Sequence, residues 1–144
     1  MCSPILDGNT ISFISLEQPV IDTTDADNRT LEFEAVFGNA DHGLRLTNDF
    51  SINGNSLLRS TAGPGFVDVS FSNPNNSLTI NAGPGNNSVT ADPVDSNFTA
   101  TLNINGEAGD DNIDLSTLNA PAIISGGIGN DAIIGGMNND LVMG

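Results

Sequence analysis

Lysine, tryptophan and tyrosine are missing from this 144-residue chain, and cysteine and histidine occur once each. The only cations are Arg29, Arg45 and Arg59, so residues 61–144 carry nine Asp and Glu with no Lys, Arg or His. The formal net charge is −15, which excludes nucleic acid and anionic membrane surfaces as partners, because both are polyanions. It favours cations as ligands, or simple solubility. A lone Cys2 leaves no internal disulfide, and one Cys with one His rules out a zinc site built from those ligands. No apolar run reaches the roughly eighteen residues that a membrane-spanning helix needs. Met1–Gly8 has neither the basic region nor the apolar stretch of an N-terminal secretory signal. With 16 Gly, 7 Pro, no Trp and no Tyr, an ordinary wide globular core is not expected.

What the chain does have is a repeat. Four glycine-bearing strings align: Ala62-Gly-Pro-Gly65, Ala82-Gly-Pro-Gly85, Gly106-Glu-Ala-Gly109 and Gly126-Gly-Ile-Gly129, with starts 20, 24 and 20 residues apart. Seven residues after each start stands a β-branched aliphatic: Val69, Val89, Ile113 and Ile133. Four residues before come Leu58, Leu78, Leu102 and Ala122. Around the turns the hydrophobic period is two, as in Phe98, Ala100, Leu102 and Ile104 against Thr99, Thr101, Asn103 and Asn105. No window has a helical period; Ser116–Leu118 offers a single turn at most. Each unit of 20–24 residues therefore reads as two short strands and two turns, too small to bury its own apolar side without stacking on its neighbours. The expected fold is all-β, a parallel β-solenoid (β-helix or β-roll) narrow enough to need no Trp or Tyr.

The first sixty residues fit this rhythm less well. Leu31, Phe33, Ala35 and Phe37 alternate with Glu32 and Glu34 and predict a strand. Asn53-Gly54, between Phe50–Ile52 and Ser56–Leu58, predicts a tight hairpin turn. Residues 1–9 and 17–29 read as terminus and loop. The chain divides into 1–60, early irregular coils or a small antiparallel β cap; 61–105, degenerate metal-free coils; and 106–144, the most regular repeats. It stops inside a repeat, which reads as a piece of something longer.

Gly126-Gly127-Ile128-Gly129-Asn130-Asp131-Ala132-Ile133-Ile134 is a full match to the nonapeptide G-G-x-G-x-D-x-U-x. Residues 135–143, with Gly135, Gly136 and Asp140, match except for Asn138 at the third glycine. Residues 106–114, with Gly106, Gly109 and Asp111, match except for Glu107 at the second. This stretch resembles the hemolysin-type calcium-binding repeat of the RTX family. Residues 62–105 share only the rhythm. The resemblance implies a calcium-binding β-roll in a secreted or surface protein of bacteria, exported by a type I route with an uncleaved C-terminal signal.

Elementary chemistry points the same way. Glycines allow turns with φ > 0 and bring carbonyl oxygens close, Asp adds a hard carboxylate, and calcium takes about six to eight such oxygens. Asp111 and Asp131 are one unit apart, so their turns should stack about 4.8 Å from each other. Two carboxylates about 5 Å apart repel by roughly 3 kcal/mol at an effective dielectric near 20, a cost that a divalent cation reverses. The expected metal residues are Gly106, Gly109 and Asp111 with Gly126, Gly127, Gly129 and Asp131 in one site. Gly135, Gly136 and Asp140 would form a half-site on the opposite edge, stacked on the acid-free stretch 115–120. Val67 and Asn87 stand at the Asp position, so their turns should be metal-free, with Asn87 either stacking or bonded to neighbouring backbone.

The remaining polar residues invite blander readings. Asp110 and Asp114 read as solvated or as supports behind the ligands, Glu107 as an exposed side chain in preference to a cap on the site, and His42 as a loop residue with no nearby nucleophile. The pairs Glu32/Glu34 and Asp92/Asp95 read as solvated faces, not a glycosidase couple. The Asn28, Asn86 and Asn97 sequons read as chance matches. The expected function is a non-enzymatic, extracellular or cell-surface calcium-binding repeat module. The alternatives are the non-catalytic part of a larger polysaccharide lyase or epimerase, or an adhesin for a surface polysaccharide or host ligand. A chain without lysine, and without any cation after Arg59, is poorly equipped to bind uronates or abstract an α-proton.

Overall fold

The computed structural model describes residues 27–31, 41–62 and 68–144 in full, and the backbone of residues 5–6, 10–12, 20–22 and 32. The described residues form strands β1–β14, numbered in chain order, and contain no helix. One seven-stranded sheet runs β1 (Ile5–Leu6), β2 (Thr10–Ser12), β4 (Asn28–Glu32), β8 (Ser77–Asn81), β10 (Thr101–Asn105), β12 (Ala122–Ser125), β14 (Leu141–Met143). The second runs β13 (Ala132–Ile134), β11 (Asn112–Asp114), β9 (Ser88–Ala91), β5 (Gly43–Asn48), β6 (Asn55–Ala62), β7 (Val69–Ser72), β3 (Val20–Asp22). Pairing is parallel except for β1–β2, β5–β6 and β6–β7.

From β8 onward the chain passes back and forth between the two sheets, and each strand pairs with the strand two further on. Leu78 lies beside Leu102 and Leu102 beside Ala122, while Val89 lies beside Ile113 and Ile113 beside Ile133. The alternating sequence explains the burial: in β8 and β10 the odd positions are half-exposed and Leu78, Ile80, Leu102 and Ile104 are buried. Those side chains meet Leu44, Leu46, Val89, Ala91 and Ile113 of the second sheet in one aliphatic core. Two sheets packed about 10 Å apart are filled by one layer of side chains from each face, mostly Leu, Ile and Val with Phe71 and Phe98 among them. Phe98 and Ala100 are buried as their alternation implies, although the strand itself begins at Thr101.

The earlier part of the chain departs from the simple repeat. β4 pairs directly with β8, Leu31 beside Ile80. The intervening β5–β6–β7 form an antiparallel meander that is built into the second sheet, with Leu44 beside Val89. Leu44, and not Val69, therefore stacks on Val89. The first of the four aligned strings is out of register with the other three: Val69 pairs with Leu58 in β6 and with Val20 in β3. Its Gly63–Val67 portion lies outside the described residues, as do Phe33–Phe37 and Cys2.

Three local expectations are corrected. Ile5–Leu6 and Val20–Asp22 are strands, within segments read as terminus and loop, and β4 begins at Asn28. Stretches of two or three residues are too short for periodicity to register, and pairing alone makes them strands. The hairpin turn is also wider than the Asn53-Gly54 dipeptide. β5 ends at Asn48 because the Asp49 carboxylate accepts the Ser51 N–H (2.9 Å) and the Ser51 hydroxyl. That local bond ends the strand early and leaves Phe50 at the tip, 89% exposed. Ser70 also donates to Asp49, and Asn55 Nδ2 donates to Ser70 Oγ at 3.0 Å, so this buried polar group is internally satisfied.

Candidate metal centre

Three six-residue turns, 82–87, 106–111 and 126–131, carry the chain from the first sheet to the second and stack on one edge. Main-chain bonds continue the parallel ladder through them: Gly85 N–H donates to Ala108 O (2.8 Å), Gly109 N–H to Ile128 O (2.9 Å) and Ile128 N–H to Glu107 O (2.8 Å). Their backbones match. The second position has φ of 82° at Gly83, 77° at Glu107 and 103° at Gly127. The fourth has 118° at Gly85, 135° at Gly109 and 150° at Gly129. Glu107 thus holds a left-handed conformation that glycine adopts at the same place in the other two turns.

The last residue of each turn points inward and forms a column with its counterparts. His42 N–H donates to Asn87 Oδ1 (3.0 Å), Asn87 N–H to Asp111 Oδ1 (2.7 Å) and Asp111 N–H to Asp131 Oδ1 (3.0 Å). A second column lies beside it with the bonds running the other way. Asn86 N–H donates to Asp41 Oδ1 (2.7 Å), Asp110 N–H to Asn86 Oδ1 (2.8 Å) and Asn130 N–H to Asp110 Oδ1 (2.9 Å). Asp110, expected to be solvated or to support the ligands from behind, is exposed and is a rung of this ladder. His42 lies in a loop, as expected, but it is buried at 8% exposure and its backbone N–H heads the inner column. The signal was the doublet of Asx or His residues closing each turn: Asp41-His42, Asn86-Asn87, Asp110-Asp111 and Asn130-Asp131.

The inner column is where charge concentrates. Asp111 is 2% exposed, and its second oxygen, Oδ2, is a buried atom with no hydrogen-bond partner among the described residues. Oδ2 folds back over Gly106: a Cβ there would collide with Asp111 Oδ2 and with the carbonyl oxygen of Gly126. Asp131 Oδ2 folds over Gly126 in the same manner. The first glycine of these turns is therefore demanded by the carboxylate beside it. Burial pushes the Asp111 carboxyl above the usual carboxylate range; bonds from Asn87 oppose this, and the Asp131 and Asp110 charges add to it. Asp111 Oδ2 and the carbonyl oxygen of Gly126 in the next turn thus lie close to one place beside Gly106.

All seven residues expected at this site, Gly106, Gly109, Asp111, Gly126, Gly127, Gly129 and Asp131, lie in the two stacked turns. Gly135, Gly136 and Asp140 lie on the opposite edge, where their turn stacks on 115–121: Met137 N–H donates to Leu118 O (3.0 Å) and Asn138 Nδ2 to Asn119 O (2.7 Å). Both Asp140 oxygens accept from the backbone, Oδ1 from Ala122 N–H (2.9 Å) and Oδ2 from Gly136 N–H. Asp114 accepts the Ser116 N–H at 3.0 Å, which lowers its pKa, and takes no part in the column.

Among the described residues no three His, Cys, Asp or Glu side chains cluster tightly enough to hold an ion alone. A cation at the 106–111/126–131 edge would draw on two carboxylates and otherwise on main-chain carbonyls, a hard all-oxygen set that suits calcium and not zinc. The three arginines are all engaged elsewhere: Arg45 grips Asp92 through two bonds of 2.9 Å, Arg59 meets Asp68 at 3.1 Å, and buried Arg29 lies 5.6 Å from the Phe71 ring centroid. No protein-family model, curated protein or solved structure matches the chain.

Proposed function

We propose that the chain is a calcium-ion-binding structural module: a parallel β-solenoid whose later coils are joined by calcium between stacked glycine-rich turns, in a secreted or cell-surface protein. The solenoid reading is supported by the pairing of β8 with β10, β9 with β11, β10 with β12 and β11 with β13, in steps of 24 and 20 residues that follow the repeat, and of β12 with β14 in a step of 18. The single observation that carries the calcium reading is the buried, partnerless Asp111 Oδ2, one turn away from a second carboxylate at Asp131. Asp111 and Asp131 would hold the ion by carboxylate, and the Gly106–Gly109 and Gly126–Gly129 turns by carbonyl oxygen. The ion supplies positive charge and a coordination sphere, and no reaction on a substrate follows from it.

The thermodynamic role follows from linkage. A cation that binds only the folded stack adds its binding free energy to folding. At low calcium the acidic turns repel one another; at the higher calcium outside a cell they are neutralised and fold. That polarity suits a chain that crosses a membrane unfolded. No catalytic role is proposed, since each arginine is engaged and lysine is absent.

Thermal melts in calcium and in chelator test the reading. Calcium at a hundredfold excess over its dissociation constant adds about 2.7 kcal/mol, or a melting temperature higher by roughly 5–10 °C in a domain of this size. Identical melts in calcium and chelator would overturn it.

A further inference from the structure

The turns 82–87 and 106–111 end on residues of nearly equal shape, Asn87 and Asp111, both 2% exposed and both in the inner column. Asn87 leaves none of its side-chain groups idle. Its Oδ1 accepts the His42 N–H, and its Nδ2 donates to Gly83 O (2.8 Å) and Gly85 O (3.0 Å), two carbonyls of its own turn. One layer on, the register places Glu107 and Gly109 where Gly83 and Gly85 stand. A carboxylate has no proton to give those carbonyls. Asp111 uses Oδ1 as Asn87 does, and its Oδ2 stays without a partner.

We infer that the Asn87 carboxamide occupies the role of a cation, so that the turn 82–87 is complete without metal and Asn or Asp at this one position decides whether a layer needs a divalent ion. The inference rests on the calcium reading for its Asp arm only. Two further features agree with it. The first position of the amide turn is Ala82, fully buried, whereas the Asp turns have Gly106 and Gly126 because the carboxylate folds over that position. The outer column is matched as well: Asn86 beside Asn87 makes a neutral pair, while Asp110 beside Asp111 carries two negative charges. The layers closed by Asn87 form a metal-independent seed, and calcium is needed only to add the layers beyond it.

Reciprocal substitution tests this, with chelator melts as a readout that needs no calcium. Asp111→Asn supplies the kind of carboxamide that closes turn 82–87, with the Glu107 and Gly109 carbonyls at the register positions of Gly83 and Gly85. It is expected to raise the chelator melting temperature by about 5 °C and to abolish the calcium-induced shift. Asn87→Asp is expected to melt about 5 °C lower in chelator, to recover in calcium, and to raise the stoichiometry from about one calcium ion per chain to about two. Asn87→Ala loses the donor without gaining a charge, so it is destabilised equally in both media. An Asp111→Asn protein no more stable than the parent in chelator would overturn the inference, as would an Asn87→Asp protein that calcium rescues no better than Asn87→Ala. If the parent ignores calcium altogether, the proposed function fails, while the chelator comparison of Asp111→Asn with the parent still decides the role of the amide.

Discussion

The turns 82–87 and 106–111 share their length, their stacking and almost their backbone angles, and they differ in what their last side chain can donate. The amide turn closes on itself; the carboxylate turn leaves a buried oxygen facing other oxygens. Leu78, Ile80, Leu102 and Ile104 beside these turns are essentially inaccessible, while Ile134, Leu141 and Val142 of the last layer are about half-exposed. Burial is complete in the layers of both turns, 82–87 and 106–111, and falls only at the last strands. On the proposed reading, the acidic turns would oppose folding unless a counter-charge is present, and one side-chain atom would set that dependence layer by layer.

The largest expected effect breaks the core that both regions share. Leu102→Ala should cost about 3 kcal/mol whether or not calcium is present, because the site is closed on every side. Val142→Ala, half-exposed in the last strand, should cost under about 1 kcal/mol in a denaturant titration. Equal losses would mean that the last layer is as well packed as the middle one. Next comes Gly126→Ala, whose Cβ would meet Asp131 at Oδ2, Cγ and Cβ; a loss of about 2 kcal/mol and of the calcium shift is expected by differential calorimetry.

Two carboxylates sharpen the comparison through pH, with opposite signs. Burial alone would raise the Asp49 carboxyl, but the Ser51 and Ser70 hydroxyls and nearby backbone N–H groups hold it below the usual range. Its stabilising contribution is therefore complete above the unfolded value and is lost as pH falls through the folded one. Asp111 is raised, so in chelator it favours folding while protonated and costs stability as pH rises from the unfolded value through the folded one. Urea titrations in chelator across the acid range should find that Asp49→Asn flattens the acid limb and Asp111→Asn flattens the opposing one. The same limb flattened by both would show that the two acids do not differ as described.

The smallest effect concerns Glu107, whose φ of 77° suits glycine. Glu107→Gly should raise stability by roughly 0.5 kcal/mol, the relief of a left-handed residue less the entropy that glycine adds to the unfolded chain. A fall in melting temperature would mean that the glutamate side chain contributes more than its backbone costs.

Strands and turns from Ser77 onward were legible in the sequence because each rests on local rules. Period-two alternation buries Leu102 and Ile104, and turns that need φ > 0 place glycine at Gly109, Gly127 and Gly129, whereas the carboxylates folded over Gly106 and Gly126 emerge only from the structure. The earlier region was not legible. Leu31 meets Ile80 across a long insertion, and nothing local says that Leu44 and not Val69 will stack on Val89, since all are aliphatics in alternating strands. The pairing of turns 106–111 and 126–131 followed from spacing. The Asx ladders did not, because the partner of each side chain is a backbone N–H in the neighbouring layer, which every residue except proline supplies. For Asn87 the sequence offered backbone bonding only as one of two options: its acceptors are carbonyls, identical in every turn, and the geometry alone places its amide against Gly83 and Gly85.

The most direct test of the central claim is calorimetric titration of the whole chain with calcium at neutral pH after exhaustive chelation. One ion bound tightly per chain, with binding lost in both Asp111→Asn and Asp131→Asn, is the predicted result. No binding at all, three or more tight ions, or a single ion whose affinity is indifferent to both substitutions would contradict the account.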